Sequence, residues 1–284
     1  MFLFSEGWTT GFDGPGRRYI IYLKGCNLRC PWCASPESLS SEREILYYSN
    51  RVGTPPVFAC SQGAISKKGL DRSLCRKCTT FECVTRWKNK AFEIAGYEKT
   101  PEELTGQIES FGALVEGVTI GGGEPTLQID ELLILLDSLR SLGIHTAVEC
   151  NATTDRFSEL LNRVDLLFCD LKRPQDTRIE NLILAARTQK NLVIRIPLVP
   201  GQNDSSDTIA FFRNVLSEMR RHRPVIQGKQ ERWPLSVEIL PLHHLGKVKY
   251  EALGIRYPIN DIDVPDQKAV NRFRQELEEL SVDS

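Results

Sequence analysis

Gly25-Cys26-Asn27-Leu28-Arg29-Cys30-Pro31-Trp32-Cys33 follows directly on the apolar run Tyr19-Ile20-Ile21-Tyr22-Leu23. The run reads as a strand and the cysteine stretch as the loop at its carboxyl end. Three cysteines at C-x3-C-x2-C spacing can hold three corners of a cubane iron–sulfur cluster. A [4Fe–4S] cluster normally takes four Cys ligands, so a triplet leaves one iron open to something other than protein. That open iron is a place for chemistry. A zinc site or three buried thiols are the alternatives. Structural zinc usually takes four protein ligands, often as paired C-x2-C units, whereas Cys60, the next cysteine, lies in a different segment. Trp32, between two of the cysteines, is placed to shield one face of a cluster and limit solvent there.

Outward from this loop the chain alternates strand-like and helix-like patterns. Short β-branched or apolar runs occur at 18–24, 116–121, 144–150, 165–169, 192–199 and 236–241. Amphipathic segments separate most of them. One opens at Thr100-Pro101-Glu102-Glu103, a capping-box pattern with proline at the first helical position. Others fit 128–141, 154–163, 176–188, 205–222 and 265–281. Strands alternating with helices predict a parallel sheet with right-handed crossovers, either an open doubly wound sheet or a partial barrel. In both, the working face lies at the carboxyl ends of the strands. Between the first strand and the first long helix lies an excursion too long for a plain connection. It holds four more cysteines, and we read an inserted subdomain at 48–88, with the main domain formed by 1–47 and 89–284.

Several polar motifs fall at predicted strand ends. Gly121-Gly122-Gly123-Glu124 follows the strand Gly117-Val118-Thr119-Ile120, where glycines form a tight turn or let backbone approach a ligand closely. Glu149-Cys150-Asn151 and Asp170-Leu171-Lys172 end the next two strands, as site residues or as solvated strand ends. Arg195 sits inside the apolar strand Leu192-Val193-Ile194-Arg195-Ile196, and a buried charge needs a partner. An ion pair to a neighbouring strand would supply one. His243 and His244 follow the sixth strand as site or loop histidines. Cys150 and Cys169, on core strands, read as small buried hydrophobes. The insert's Cys60, Cys75, Cys78 and Cys83 provide four ligands, enough to close one metal site, zinc or iron–sulfur.

The cysteine loop resembles the radical S-adenosylmethionine (SAM) superfamily, and the wider pattern resembles the activating enzymes of glycyl radical enzymes. The matching pieces run nearly end to end. They are Asp13-Gly14-Pro15-Gly16-Arg17, Leu23-Lys24-Gly25-Cys26 through Cys33, Pro36-Glu37-Ser38, Gly122-Gly123-Glu124-Pro125, Asp170-Leu171-Lys172, Arg195 through Asp204, and Leu245-Gly246 through Leu253-Gly254. The resemblance implies a partial (β/α)6 barrel with a small ferredoxin-like iron–sulfur insert. It implies that Cys26, Cys30 and Cys33 hold a [4Fe–4S] cluster whose open iron chelates SAM. It makes Gly122 and Gly123 the edge that meets the amino group of SAM, with Glu124 as acceptor, and puts Lys172 near SAM. Asn151 joins the cofactor-binding set. It implies a monovalent cation held by side chains at Glu149 and Asp170, a SAM or active-site role for Arg195, and a nucleoside contact for His243.

The family's insert commonly carries two C-x2-C-x2-C-x3-C runs. Here no cysteine precedes Cys60 within Ser49 to Ala59. The resemblance therefore implies one auxiliary [4Fe–4S] cluster, held by Cys75, Cys78 and Cys83 with Cys60 as fourth ligand, since in two-cluster ferredoxins the fourth cysteine of a run serves the other cluster. After Cys33 the usual His-Asn-Pro-Glu-Ser reads Ala34-Ser35-Pro36-Glu37-Ser38, which marks a divergent member.

The implied activity is oxidoreductase chemistry: reductive cleavage of SAM to methionine and a 5′-deoxyadenosyl radical, which abstracts hydrogen from a backbone glycine of a partner enzyme. The implied electron donor is a flavodoxin or ferredoxin-type protein. A radical SAM enzyme acting on a peptide or small molecule is the alternative; an iron–sulfur carrier would need no glycine-rich SAM site. Net charge is −1 with no long basic run, and no apolar stretch reaches membrane-spanning length, so we expect neither nucleic-acid nor membrane binding. Met1-Phe2-Leu3-Phe4 is too short for a signal-peptide core. Nine cysteines, clustered, suit metal ligation in a reducing, anaerobic cytoplasm.

Overall fold

In the computed structural model, which describes residues 1–51, 60–66, 68–86 and 90–278, the six expected strands all form and lie side by side in sequence order. The chain opens with the hairpin β1 (Phe2–Thr10) and β2 (Arg17–Leu23). The excursion contains β3 (Glu44–Tyr47), β4 (Ile65–Ser66), β5 (Gly69–Leu70), α1 (Arg72–Cys75), α2 (Glu82–Arg86) and β6 (Phe92–Ala95). After β7 (Tyr97–Glu98) and α3 (Pro101–Ser110) the alternation begins: β8 (Gly117–Gly122), α4 (Ile129–Ser141), β9 (His145–Cys150), β10 (Leu166–Asp170), α5 (Ile179–Thr188), β11 (Leu192–Leu198), α6 (Ser206–His222) and β12 (Ser236–Pro241). α7 (Lys247–Ala252) and α8 (Gln267–Glu278) close the chain.

The main sheet runs β12-β11-β10-β9-β8-β2-β1-β7. The five pairings from β2 to β12 are parallel. Because every crossover steps the same way along the sheet, right-handed connections place the helices of the alternation on one face. That decides between the two architectures: a doubly wound sheet needs a reversal of strand order, and none occurs here. The sheet is a partial (β/α)6 barrel, extended on one side by the antiparallel β1 and β7.

Period-two alternation sorts the strand residues. Ile21, Ile120, Val148, Cys150, Leu167, Cys169, Ile194 and Ile196 join the helix-facing core with Leu132, Leu135 and Leu139 of α4. Cys150 and Cys169 stand in this core as expected, with sulfurs 4.0 Å apart. The intervening residues face the concave side and include Glu149, Asp170, Arg195 and Glu238; Asp170, Arg195 and Glu238 stand at linked register positions, and the Arg195 guanidinium lies over the Phe168 ring. α3 begins with the expected capping box, Thr100 and Glu103 bonding each other's backbone N–H.

Besides the short elements of the excursion, β7 and α7, two elements differ from the sequence reading. The helix expected at 154–163 is a single 3-10 turn, Phe157–Leu160. Ala152 and Asn162 flank it in the left-handed region, and Asn181 Nδ2 takes the carbonyls of Ala152 and Thr154 at 2.8 and 3.2 Å, so the link is spent on side-chain braces. β1 was not expected, because Ser5-Glu6-Gly7 interrupts its apolar pattern. Of the expected insert, 52–59, 67 and 87–88 lie outside the described residues, as do 279–281 of the last expected helix. The described remainder of the insert is framed by the antiparallel pair β3–β6.

Arg18 closes the floor of the concave side. It is fully buried and donates to Thr119 Oγ1 (2.7 Å), Val118 O (2.6 Å) and Pro15 O (3.0 Å). Replacing it with methionine strands these acceptors, so Arg18→Met should lower unfolding stability by about 3 kcal/mol in urea titrations, since each buried group left unpaired costs about 1–3 kcal/mol.

Candidate active site

The site begins as a backbone seam. At the end of β2, Gly25 has φ +102°, a conformation an L side chain rarely adopts, and it turns the chain into the cysteine loop. Gly25 donates to Ser38 O at 2.7 Å. The neighbouring strand end locks on: Gly123 donates to Leu23 O at 2.9 Å, and Glu124 N donates to Gly25 O at 2.8 Å. A Cβ on Gly123 would lie 2.0 Å from Gly25 O, and one on Gly122, where φ is +116°, 2.4 Å from Leu23 O. These glycines therefore admit the cysteine loop's own backbone.

Above the seam, at the carboxyl ends of the parallel strands, lies a cavity of about 410 Å³. Cys26, Cys30, Cys33, Trp32, Gly122, Gly123, Asp170, Lys172 and His243 line it, which gathers nine expected site residues from four separate segments. Lys172 Nζ pairs with Asp170 Oδ2. Burial works against that ammonium, but Asp170 and the thiols of Cys30 and Cys26 outweigh it and hold its pKa above the usual lysine value. Burial pushes the Cys26 and Cys30 thiols up and lifts that of Cys33 to about 11. His243 borders the cavity, whereas His244 has both ring nitrogens engaged, with Tyr257 Oη and Ile262 O, each at 2.9 Å. The structure thus separates two histidines that the sequence left equivalent. Trp32 also packs against the small core of Val199, Leu242, Tyr250 and Tyr257.

Four expected site residues lie outside that lining. Glu124 is buried, and its carboxylate accepts from Thr126 N (3.1 Å), Thr126 Oγ1 and Asn151 N (2.6 Å). Burial pushes its pKa up, opposed by those donors. Its oxygens are spent within the protein, and the glycine backbone, not this carboxylate, borders the cavity. Asn151 donates to Asn27 Oδ1 (2.8 Å), and Asn27 donates to Thr153 Oγ1 (2.8 Å), tying the end of β9 to the cysteine loop. Glu149 and Arg195 form an ion pair, and Arg195 also reaches Glu238 Oε2 (2.9 Å) and Phe12 O (2.8 Å). The ion-pair alternative for Arg195 is therefore the arrangement present, on the concave face rather than at the cavity wall. Sequence reasoning missed Asn27, Thr126 and Thr153 as braces. It also missed Lys24, whose charge at the end of a buried strand was the available signal.

In the insert, Cys60, Cys75 and Cys83 gather on one apolar cluster with Ile45, Tyr47, Ile65 and Phe92. Burial raises the Cys83 thiol to about 11, reinforced by Cys75, Cys60 and Cys78, so all four thiols are electrostatic neighbours. Among the described residues no three His, Cys, Asp or Glu side chains stand close enough to share a single ion. A cubane binds each thiolate at a separate iron corner, so both cysteine sets fit such a cluster by the chemistry of their donors.

The Radical SAM superfamily model matches residues 20–212. The chain is 30% identical to the 4-hydroxyphenylacetate decarboxylase activating enzyme of Clostridioides difficile (strain 630), over 96% of this chain and 90% of that protein. It is 30% identical to the indoleacetate decarboxylase activating enzyme of Tractidigestivibacter scatoligenes, over 94% and 90%. It is 31% identical to the choline trimethylamine-lyase activating enzyme of Oleidesulfovibrio alaskensis (strain ATCC BAA-1058 / DSM 17464 / G20), over 87% and 85%. The chain belongs to the radical SAM superfamily and, within it, to the activating enzymes of glycyl radical enzymes. Membership brings with it a [4Fe–4S] cluster and SAM.

Glu149 offers a pH test of the concave face. Burial lifts its pKa from 4.5 to about 7, although Arg195 pulls the other way. A carboxyl raised in the folded state contributes stability fully below pH 4.5, and that contribution is lost as pH rises through about 7. Glu149→Gln should remove this part of the decline, seen as a flatter plot of urea midpoint against pH across that window.

Proposed function

We propose that this chain is a radical SAM activase that installs a glycyl radical in a partner enzyme, working at the cavity between Cys26 and His243. The observation that carries the reading is the convergence of the thiol triplet, the Gly122–Gly123 edge, Lys172 and His243 on one cavity at the strand ends. The similarity to activating enzymes along nearly the whole chain favours this over a small-molecule or free-peptide substrate.

Cys26, Cys30 and Cys33 hold the SAM-binding cluster. When bound, the cluster and SAM supply one-electron reductive cleavage and the radical that abstracts hydrogen, chemistry that a protein cannot furnish from its own side chains. The chain's residues bind and orient. The backbone of Gly122 and Gly123 borders the methionyl end, and Glu124 and Asn151 hold that edge and the cysteine loop in register. Lys172 offers an ammonium to a carboxylate, and His243 and Trp32 frame the nucleoside. On the concave face Arg195 already neutralises Glu149, so a guanidinium fills the role that a monovalent cation between Glu149 and Asp170 would take. The sheet's free edges, β12 and β7, leave a lateral opening suited to a protein segment.

In this reading Cys60, Cys75, Cys78 and Cys83 hold one auxiliary [4Fe–4S] cluster. With four protein ligands it has no iron open to SAM. The electron comes from a flavodoxin or ferredoxin-type donor in a reducing cytoplasm. Among the described residues no helix is long and apolar enough to cross a membrane.

The test is anaerobic reconstitution with SAM, a reductant and the partner glycyl radical enzyme, followed by electron paramagnetic resonance. A doublet glycyl signal that disappears in Cys30→Ala is the expected result. Deoxyadenosine without a protein radical would replace this reading by a peptide or small-molecule substrate. Separately, Cys78→Ala should lower iron content by about four atoms, one cluster's worth, with SAM cleavage machinery still loaded. Loss of zinc instead of iron would show that the insert is a zinc site.

A further inference from the structure

We propose that the groove behind the cysteine loop is the docking site of the electron donor, a small acidic one-electron carrier protein. This rests on the activase reading, because each SAM cleaved consumes one electron, which the carrier loses. The groove, about 420 Å³, lies between the cysteine loop and the insert. Cys26 and Leu39 border both this groove and the SAM cavity. The loop is thus a thin wall with two faces. The front face must receive SAM and the partner's glycine segment, so a second protein has to approach from the back.

The opposite wall of the groove is α1, which begins at Arg72 and ends at Cys75, with Arg76 following as its C-cap. A carrier seated here meets segments that bear both cysteine sets. The two walls are clamped by buried charge. Glu44 binds Lys24 Nζ at 2.9 Å and also pairs with Arg72. Arg72 in turn donates to Leu253 O at 3.0 Å. Because those charges satisfy one another, they contribute little to the rim. What remains at the surface is cationic: Arg29 and Arg76 are exposed, and neither joins an ion pair among the described residues. One exposed carboxylate, Glu42, also lines the groove. Leu127, 49% exposed, adds an apolar contact. A cationic rim around a small, partly apolar groove suits a transient redox encounter, in which complementary charge raises the on-rate and sets orientation.

The experiment uses the reconstituted chain and reduced flavodoxin as the probe, with dithionite as a protein-free reductant. Arg76→Glu should raise both the KM for flavodoxin in deoxyadenosine formation and its Kd by about tenfold, with kcat little changed. Added salt should weaken flavodoxin binding less in the variant than in the parent. Dithionite-driven cleavage should be unaffected. Glu42→Lys, which adds positive charge to the same rim, should instead lower both KM and Kd and serves if Arg76→Glu does not take up iron. Unchanged flavodoxin KM and Kd in both variants would overturn the proposal. So would a matching loss of dithionite-driven cleavage, or a parent chain that accepts electrons from dithionite but from neither flavodoxin nor a bacterial ferredoxin. No cleavage with dithionite at all would instead overturn the activase reading.

Discussion

The rest of the structure depends on the seam where the end of β8 lies against the end of β2. Three backbone hydrogen bonds join Leu23 and Gly25 to Gly123, Glu124 and Ser38. The contact is so close that position 123 has no room for a side chain. This seam sets where the cysteine loop leaves the sheet, and therefore where its thiols stand relative to Gly122, Lys172 and His243. Glu124 extends the same constraint to a third strand by accepting from Asn151 N. Asn151 then returns to the loop through Asn27. A ring of short-range hydrogen bonds thus connects three strand ends and the loop between them. Glu124 and Asn151 are buried within it, so losing one leaves the other's groups unpaired at a cost.

Beneath the ring, the barrel separates two environments with a single sheet. Its outer face is packed by helices and is apolar. Its concave face carries Glu149, Arg195 and Glu238, arranged so that one guanidinium answers two carboxylates. Phe12 O, from the loop between β1 and β2, completes the guanidinium's contacts. The N-terminal hairpin is therefore part of the concave face, and the unexpected strand β1 has a role in building it. The insert is joined to the same framework. Through Glu44, the strand that begins the excursion is held both to Lys24, next to the cysteine loop, and to Arg72, next to Cys75.

Much of the fold was legible because its signals are local. Alternating apolar runs marked the six parallel strands, and Thr100-Pro101-Glu102-Glu103 marked a helix start that the structure closes with both capping bonds. The segment 154–163 misled, since its composition is helical while Ala152, Asn162 and Asn181 impose a different path. For the site, nine of the candidates picked by residue type and position at strand ends line one cavity. Those signals did not tell which neighbour each polar group would choose. Glu124 was read as facing a ligand and instead braces Thr126 and Asn151. Arg195 was open between an active-site role and an ion pair, and its guanidinium lies between Glu149 and Glu238.

By itself, then, the sequence determined the class of chemistry and the parallel architecture. A three-cysteine loop after a strand, and polar residues closing later strands, depend only on spacing along the chain. Only the tertiary structure decided between a doubly wound sheet and a partial barrel, because that turns on the spatial order of strands. Only it assigned His243 to the cavity and His244 to Tyr257 and Ile262, and only it placed Cys26 on a wall shared by two openings. Such outcomes depend on contacts between residues far apart in the chain, as Arg195 and Phe12 are at 183 positions. Pairings at that separation are set by packing and by the need to satisfy buried charge, and no local pattern encodes them.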